Sequence, residues 1–321
     1  STQAKTLFPY TTLFRSITVR LTVSERAGMH EYTFGKQKGK RFILIDLDYR
    51  DKLLNYSLNI KDKYTISGSR ISQAWANEQH FYFYLKTNVP YEKAKLLTKN
   101  GQHKLLLTFN AKTEKILIKV GMSGVDETGA KSNLEKEIVD WNFDMLRAET
   151  VRKWNEELNK IAIQTKDTKV MVNFYSALYH TFIQPNLWSD VDGRYRGRDN
   201  QIHMITYNIP QYSVFSIWDT YRAANPLYTL IQPKRTNDFI TTFLRQYDQG
   251  GDLPVWELAG NETECMIGYH SASIIADAYL KGINGFDAEK ALAAMIFTSQ
   301  VDELGKKQFH EKGFISSGDE P

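Results

Sequence analysis

From Ile17 to about Met122 the hydrophobic positions recur with a period of two. Ile17-Thr-Val-Arg-Leu-Thr-Val23 alternates, and Phe42–Leu47, Phe81–Leu85, Leu105–Phe109 and Lys115–Val120 repeat the theme. Successive side chains of a strand point to opposite faces, so this period is that of half-buried β-structure. Gly35, Gly39, Asn88-Val-Pro90 and Asn100-Gly101 fall between the runs, where turns belong. The stretch predicts an antiparallel β-sandwich over 17–130, with some of its strands missing at the front.

From Asn133 to about Gln164 the period becomes helical. Leu134, Ile138, Trp141, Met145 and Ala148 fall on one stripe, and Val151, Trp154, Leu158 and Ile161 continue it after a slight phase shift. This predicts a helical linker over 131–166, either one element or a long helix pair. A coiled-coil dimer would need a longer run with fewer tryptophans. From Thr168 onward helices alternate with loops. They are expected at Lys169–Gln184, Thr220–Ile231, Thr236–Gln249, Cys265–Leu280 and Ala288–Leu304. Pro233 before the third and Gly250-Gly251 after it are start and stop signals. Paired helices with polar residues on their loops predict part of an α/α toroid over 167–321.

Composition narrows the function. A length of 321 residues allows two domains and a sizeable core. The net charge of +4 is small and the lysines are scattered, which leaves no nucleic-acid footprint. Aromatic residues at 13% suit a carbohydrate-processing protein and equally any β-rich domain. The single Cys265 excludes an internal disulfide and a cysteine-rich zinc site. No run of 18 apolar residues occurs, so no membrane span is predicted. Phosphate-binding glycine loops and a Gly-x-Ser-x-Gly elbow are absent from the sequence.

The candidate chemistry lies between Tyr212 and Ser271. Trp218 and Trp256 are each followed at once by a carboxylate, Asp219 and Glu257, and Asn261, Glu262 and His270 come soon after. An indole can stack on the apolar face of a pyranose while carboxylates accept its hydroxyl protons. A third cluster, Asn186-Leu-Trp-Ser-Asp-Val-Asp-Gly-Arg-Tyr-Arg-Gly197, carries Asp190, Asp192, Arg194 and Arg196. Each piece alone also has an ordinary reading. Asp219 could cap a helix, and Arg222, one turn on, could pair with it. Asp190 and Asp192 resemble the start of a calcium loop, but the third acid and terminal Glu are absent, and a turn closed by Asx bonds fits as well. His270 could meet a substrate or sit satisfied in the core.

Taken together, Tyr179–Gly197, Phe215–Leu227 and Leu253–Ser271 resemble the inner-helix signatures of glycoside hydrolase family 92, and the likeness runs over roughly residues 17–321. The resemblance implies a calcium-dependent, exo-acting α-mannosidase that inverts the anomeric centre. It implies a substrate-binding role for Trp218, Asp219, Arg222, Trp256, Glu257, Asn261, Glu262, His270, Asp190, Asp192 and Arg194. The family's general acid lies in a Glu-Gly-Asn motif downstream of the Trp-Glu-Leu segment, and its general base is a later Asp close to the calcium. Neither motif has a match here. The resemblance therefore implies no catalytic residue in this chain, calcium ligands mostly beyond residue 321, and no activity of the chain alone. It further implies α-mannosides or N-glycan-type oligosaccharides as partners and an exported, periplasmic or cell-surface location. The alternative is a non-catalytic carbohydrate-binding or scaffold protein.

Both ends carry expectations of their own. Thr6–Ser16 reads TLFPYTTLFRS, the frame translation of a common sequencing adapter, so residues 1–16 are expected to be an assembly artefact. Ser317-Gly-Asp-Glu-Pro321 has no natural cap, and the chain is expected to be an internal fragment of a longer metagenomic gene.

Overall fold

A computed structural model describes residues 12–14, 17–35, 39–98, 103–302 and 305–318. The adapter-like stretch lies mostly outside them. Two compact units form: Ser1–Lys160 with Ser189–Arg194, and Ile161–Trp188 with Tyr195–Pro321.

The first unit begins with ten strands: β1 (Thr12–Phe14), β2 (Ile17–Val23), β3 (Ala27–Phe34), β4 (Arg41–Asp46), β5 (Lys52–Ile60), β6 (Thr65–Gln73), β7 (Gln79–Thr87), β8 (Lys93–Leu97), β9 (Lys104–Phe109) and β10 (Lys115–Ser123). They form a seven-stranded sheet in the order β1-β2-β3-β10-β7-β6-β5 and a three-stranded sheet β4-β9-β8. Every pairing is antiparallel. Phe34, Ile66, Leu85, Leu105, Leu107, Phe109, Ile116 and Ile118 form the apolar layer shared by the two sheets, as in a sandwich.

The large sheet is also covered on its other face. Helices α1 (Glu127–Glu137) and α2 (Phe143–Leu158) pack there through Leu134, Ile138 and Phe143 on Ala27, Met29 and Leu117. Gly121 allows the close approach, since a Cβ there would lie 2.1 Å from the carbonyl oxygen of Ala130. Lys119 is buried on this face and donates to the carbonyls of Ile138 and Val139, both at 3.0 Å, at the end of α1. The expected linker is therefore two helices belonging to this unit. The chain breaks after Glu137 and restarts at Asn142, whose side chain caps α2 by accepting from the Met145 amide. That restart resets the helical phase, so Phe143 is buried and Met145, expected on the stripe, is exposed.

The second unit contains α3 (Thr168–Thr181), β11 (Asn186–Leu187), β12 (Arg194–Arg196, whose first residue falls in the first unit), β13 (Ile202–Met204), β14 (Tyr212–Ser213), β15 (Phe215–Ser216), α4 (Ile217–Thr220), α5 (Ala224–Ile231), α6 (Pro233–Gly250), β16 (Trp256–Leu258), β17 (Asn261–Glu262), α7 (His270–Leu280), α8 (Ala288–Gln300) and α9 (Lys306–Lys312). Ile217, Tyr228, Phe239, Ile240, Phe243, Ile274, Ile275 and Ala294 form its core. The helix expected over Thr220–Ile231 is two. A continuous helix would set the ring of Pro226 against the carbonyl of Arg222, and the restart at Ala224 moves Pro226 into a first turn, where no amide is needed. Pro233 opens α6, and Gly251, at φ 87°, closes it. The helix expected from Cys265 starts at His270, because Glu264 (φ 53°) and Gly268 (φ 119°) cannot continue a helix. The last expected helix ends at Gln300, where Val301 turns extended.

Candidate functional site

β15, β16 and β17 form one small antiparallel sheet, with Ser216 opposite Trp256, Phe215 opposite Glu257, and Glu257 opposite Glu262. Two motifs some forty residues apart thus become neighbours. Phe215 anchors the sheet, with its ring edge-on to Phe239 and Phe243 of α6 at centroid distances of 5.7 and 4.9 Å. The β16–β17 turn is Ala259-Gly260, with both residues at positive φ (52° and 77°), the pattern of a two-residue type I′ hairpin.

Glu257 faces inward and is 1% exposed. It accepts from the Gly260 amide at 2.7 Å, the Ser213 hydroxyl at 3.0 Å and the Val214 amide at 3.2 Å. Ser213 in turn accepts from the Ala259 amide at 2.7 Å. Burial pushes the Glu257 carboxyl up to about 7 against the opposing pull of the Gly260 amide and the Ser213 hydroxyl. Val214 (φ 67°) and Ala259 (φ 52°) hold left-handed backbone that non-glycine residues seldom adopt, and the bonds around Glu257 keep them there. Glu262 is likewise occupied by backbone, accepting from the amides of Val255 (2.9 Å), Trp256 (2.8 Å) and Thr263 (3.2 Å). Asn261 donates to the Ala259 carbonyl at 3.0 Å. These three side chains shape the hairpin.

Trp218 and Asp219 differ from them. Trp218 is 41% exposed, and Asp219 is also exposed. Asp219 is not a helix cap: α4 has Ser216 at its N-cap without a side-chain cap bond, and the Ser216 hydroxyl donates to the Asp219 carboxylate. The expected pairing of Asp219 with Arg222 does not form. Arg222 instead donates from Nε to the Tyr221 hydroxyl at 2.6 Å and lies 5.4 Å from the Tyr221 ring centroid. The four-residue α4 ends at Thr220, before Arg222, so the i,i+3 spacing of a continuous helix is lost. His270, at the start of α7, stacks on Tyr221 at 4.0 Å and 6°. Burial, with the Arg222 charge beside it, lowers the His270 pKa from its ordinary value. Sequence reasoning missed Tyr221, which joins Arg222 to His270. Its signal was its place inside the Trp218–Arg222 string.

The third motif divides. The Trp188 amide donates to the Gln211 carbonyl at 2.8 Å, and its indole donates to the Arg196 carbonyl at 2.8 Å, within the second unit. Asp190, Asp192 and Arg194 belong to the first unit. Asp190 is buried and accepts from the Ser123 hydroxyl at 2.6 Å and the Asn133 amide at 2.7 Å, and burial raises its pKa. Asp192 closes an Asx turn by accepting from the Arg194 amide at 3.0 Å, and Arg194 pairs with Asp192 and Asp126 at 2.7 and 2.6 Å. Asp190→Ala would strand two buried donors and should lower stability by about 2 kcal/mol in chemical denaturation. Gly129→Ala should do similar damage, since its Cβ would fall 2.1 Å from the Asp190 carboxylate.

Among the described residues no three His, Cys, Asp or Glu side chains cluster closely enough to hold a metal ion. No helix among the described residues is long and apolar enough to cross a membrane.

A β-sandwich followed by helices, with tryptophans and carboxylates gathered at strand and helix ends, is compatible with a carbohydrate-active enzyme. Residues 129–320 match the glycosyl hydrolase family 92 catalytic domain and residues 3–123 match that family's N-terminal domain, and the chain belongs to this family. The fold is similar to that of a family 92 α-mannosidase from Bacteroides thetaiotaomicron, with a TM-score of 0.88 and 29% identity over 95% of this chain and 44% of that one. That enzyme is also known in complex with mannoimidazole. An inverting family 92 mannosidase from Bacteroides thetaiotaomicron VPI-5482 shares the fold at a TM-score of 0.85 and 23% identity, over 95% of this chain and 44% of that one. An uncharacterized secreted glycosidase of Arthroderma benhamiae is 24% identical over 59% of this chain and 20% of its own length. The chain thus spans less than half of these relatives. Its architecture is theirs: an N-terminal β domain followed by part of an α/α toroid.

Proposed function

We infer that the chain is part of an exo-α-mannosidase that cleaves terminal α-linked mannose from glycans with inversion. The observation that carries this is the exposed Trp218–Asp219 pair held beside the hairpin of Trp256 and Glu262. The indole offers a stacking face and the carboxylate an acceptor for two sugar hydroxyls, with Arg222, Tyr221 and His270 forming a rigid wall one turn away. Trp256, Glu257, Asn261 and Glu262 set the backbone on which that pair stands. Calcium assistance, export to the periplasm or cell surface, and inactivity of the 321-residue chain alone belong to the same proposal. Inverting hydrolysis needs a protonated acid and an ionised base placed across the scissile bond. Glu257 and Glu262 are both engaged by backbone amides, which supports the reading that acid and base lie elsewhere.

The test is mannose release from α1,2-, α1,3-, α1,4- and α1,6-linked mannobiose, by this chain and by the protein made from its complete gene. The proposal expects release by the complete product and none by the chain. Release by the chain alone would contradict the account of where acid and base lie.

A further inference from the structure

The sandwich of the first unit carries a second surface with the chemistry of sugar recognition. The segments Leu47–Asp51 and Ala74–Glu78 connect β4 to β5 and β6 to β7. The register of Lys52 with Gln73 puts them at the same end of neighbouring strands. Each presents one large aromatic residue to solvent: Tyr49 is 77% exposed and Trp75 is 65% exposed. A tryptophan this exposed forgoes most of the burial that usually stabilises it.

The surface is built on a rigid support. The Arg70 guanidinium donates to the carbonyls of Leu47 (2.8 Å), Tyr49 (3.0 Å) and Asp51 (3.2 Å), and to the Ser72 hydroxyl at 2.7 Å. One side chain of β6 therefore fastens the whole Tyr49 loop to the strand that leads to Trp75. Beside Tyr49, Asp48 meets the His103 ring nitrogen at 2.9 Å, and the His103 ring packs on Tyr56 at 4.3 Å. A loop backbone fixed in advance loses little freedom when a ligand docks on the aromatic residue it presents.

The same surroundings choose the occupant. The residues flanking the two aromatics are Asp48, Arg50, Ala74 and Ala76, with Asn77 and Glu78 following. Of the residues that flank them in sequence only the two alanines are apolar, and Ala76 is buried. The mixed charges give no basic stripe for a nucleic acid. Exposed aromatic residues among polar neighbours fit the alternating CH faces and hydroxyls of a neutral glycan. We propose that the Tyr49–Trp75 end of the sandwich is a glycan-binding surface, which holds polysaccharide through the first unit independently of the Trp218 pair. The choice of mannan as ligand rests on the mannosidase reading; the surface itself does not.

Affinity electrophoresis of the 321-residue chain through gels containing α-mannan or an α-glucan tests this. Wild-type protein should be retarded in mannan. Trp75→Ala and Tyr49→Ala should each weaken that retention about tenfold, the scale of one lost aromatic stack with its area. Trp75→Phe should keep part of it. Thermal melting of each variant at the wild-type temperature establishes that it is folded. Absence of wild-type retardation in both gels, or full retention by folded Trp75→Ala and Tyr49→Ala, would overturn the proposal. Retention by glucan but not mannan, lost with Trp75, would keep the surface and count against the mannosidase reading.

Discussion

Glu257→Ala will lower the stability of the second unit by about 4 kcal/mol, because three donors, one buried and two partly buried, lose their acceptor at once and each orphan costs roughly 1–3 kcal/mol. Those donors are the Ser213 hydroxyl and the amides of Val214 and Gly260. Val214 and the Ala259-Gly260 turn also lose what holds them in left-handed backbone. The same carboxyl gives a pH signature. Its pKa is raised from 4.5 in the unfolded chain to about 7 in the folded one. Between those values the native state holds more protons than the unfolded state, so stability falls as pH rises from about 4.5 to 7 and is level above. The full span is on the order of 3 kcal/mol. Glu257→Gln, which cannot ionise, should remove that slope. Urea denaturation from pH 4.5 to 8 measures both effects. A wild-type curve with the same slope as the Gln variant would show that Glu257 does not hold its proton.

Asp219→Ala should behave in the opposite way. The carboxylate is exposed and caps no amide, so its loss should change stability by less than about 0.5 kcal/mol. If it accepts two hydroxyls of a terminal mannose, its loss removes charge-assisted bonds and should cut kcat/KM of the complete gene product about 100-fold, equivalent to nearly 3 kcal/mol. Trp218→Ala should act on the same complex through lost stacking. The pairing of unchanged stability with lost activity separates a ligand role from a structural one. A fall in melting temperature with unchanged kcat/KM would assign Asp219 to the fold.

Much of the architecture could be read from the chain, and the omissions have physical causes. Runs such as Ile17–Val23 and Lys115–Val120 revealed strands by alternation. Ala27–Phe34 and Thr65–Gln73 did not, because they lie inside the large sheet, whose helix-facing side is partly polar, and Lys52–Ile60 did not, because it is an edge strand with no fully buried residue. Ser67, for instance, donates to Glu127 of α1, and Lys119 caps the end of the same helix. Buried polar residues of this kind blur the inside–outside contrast that sequence patterns depend on. Helix interiors were legible, but the breaks at Asn142, Ala224 and His270 depended on a cap, a proline and positive φ values.

The candidate site was legible as strings of residues and not as roles. Trp-Asp and Trp-Glu look alike in sequence, yet Asp219 faces solvent while Glu257 is buried under a strained hairpin. Nothing in their spacing distinguishes them, since the difference arises from strand register: Phe215 and its partner Glu257 point inward. The Asp190 cluster shared the aromatic and acidic composition of the other two motifs, and it folds into the first unit with its own internal partners.

The most direct measurement is proton NMR of α-mannobiose hydrolysis by the complete gene product, followed from the first turnover, with and without a calcium chelator and with Asp219→Ala alongside. The account predicts that β-mannose appears first, that chelation suppresses it, and that the variant falls about 100-fold behind while melting at the wild-type temperature. First appearance of α-mannose, or release of a sugar other than mannose, would contradict it.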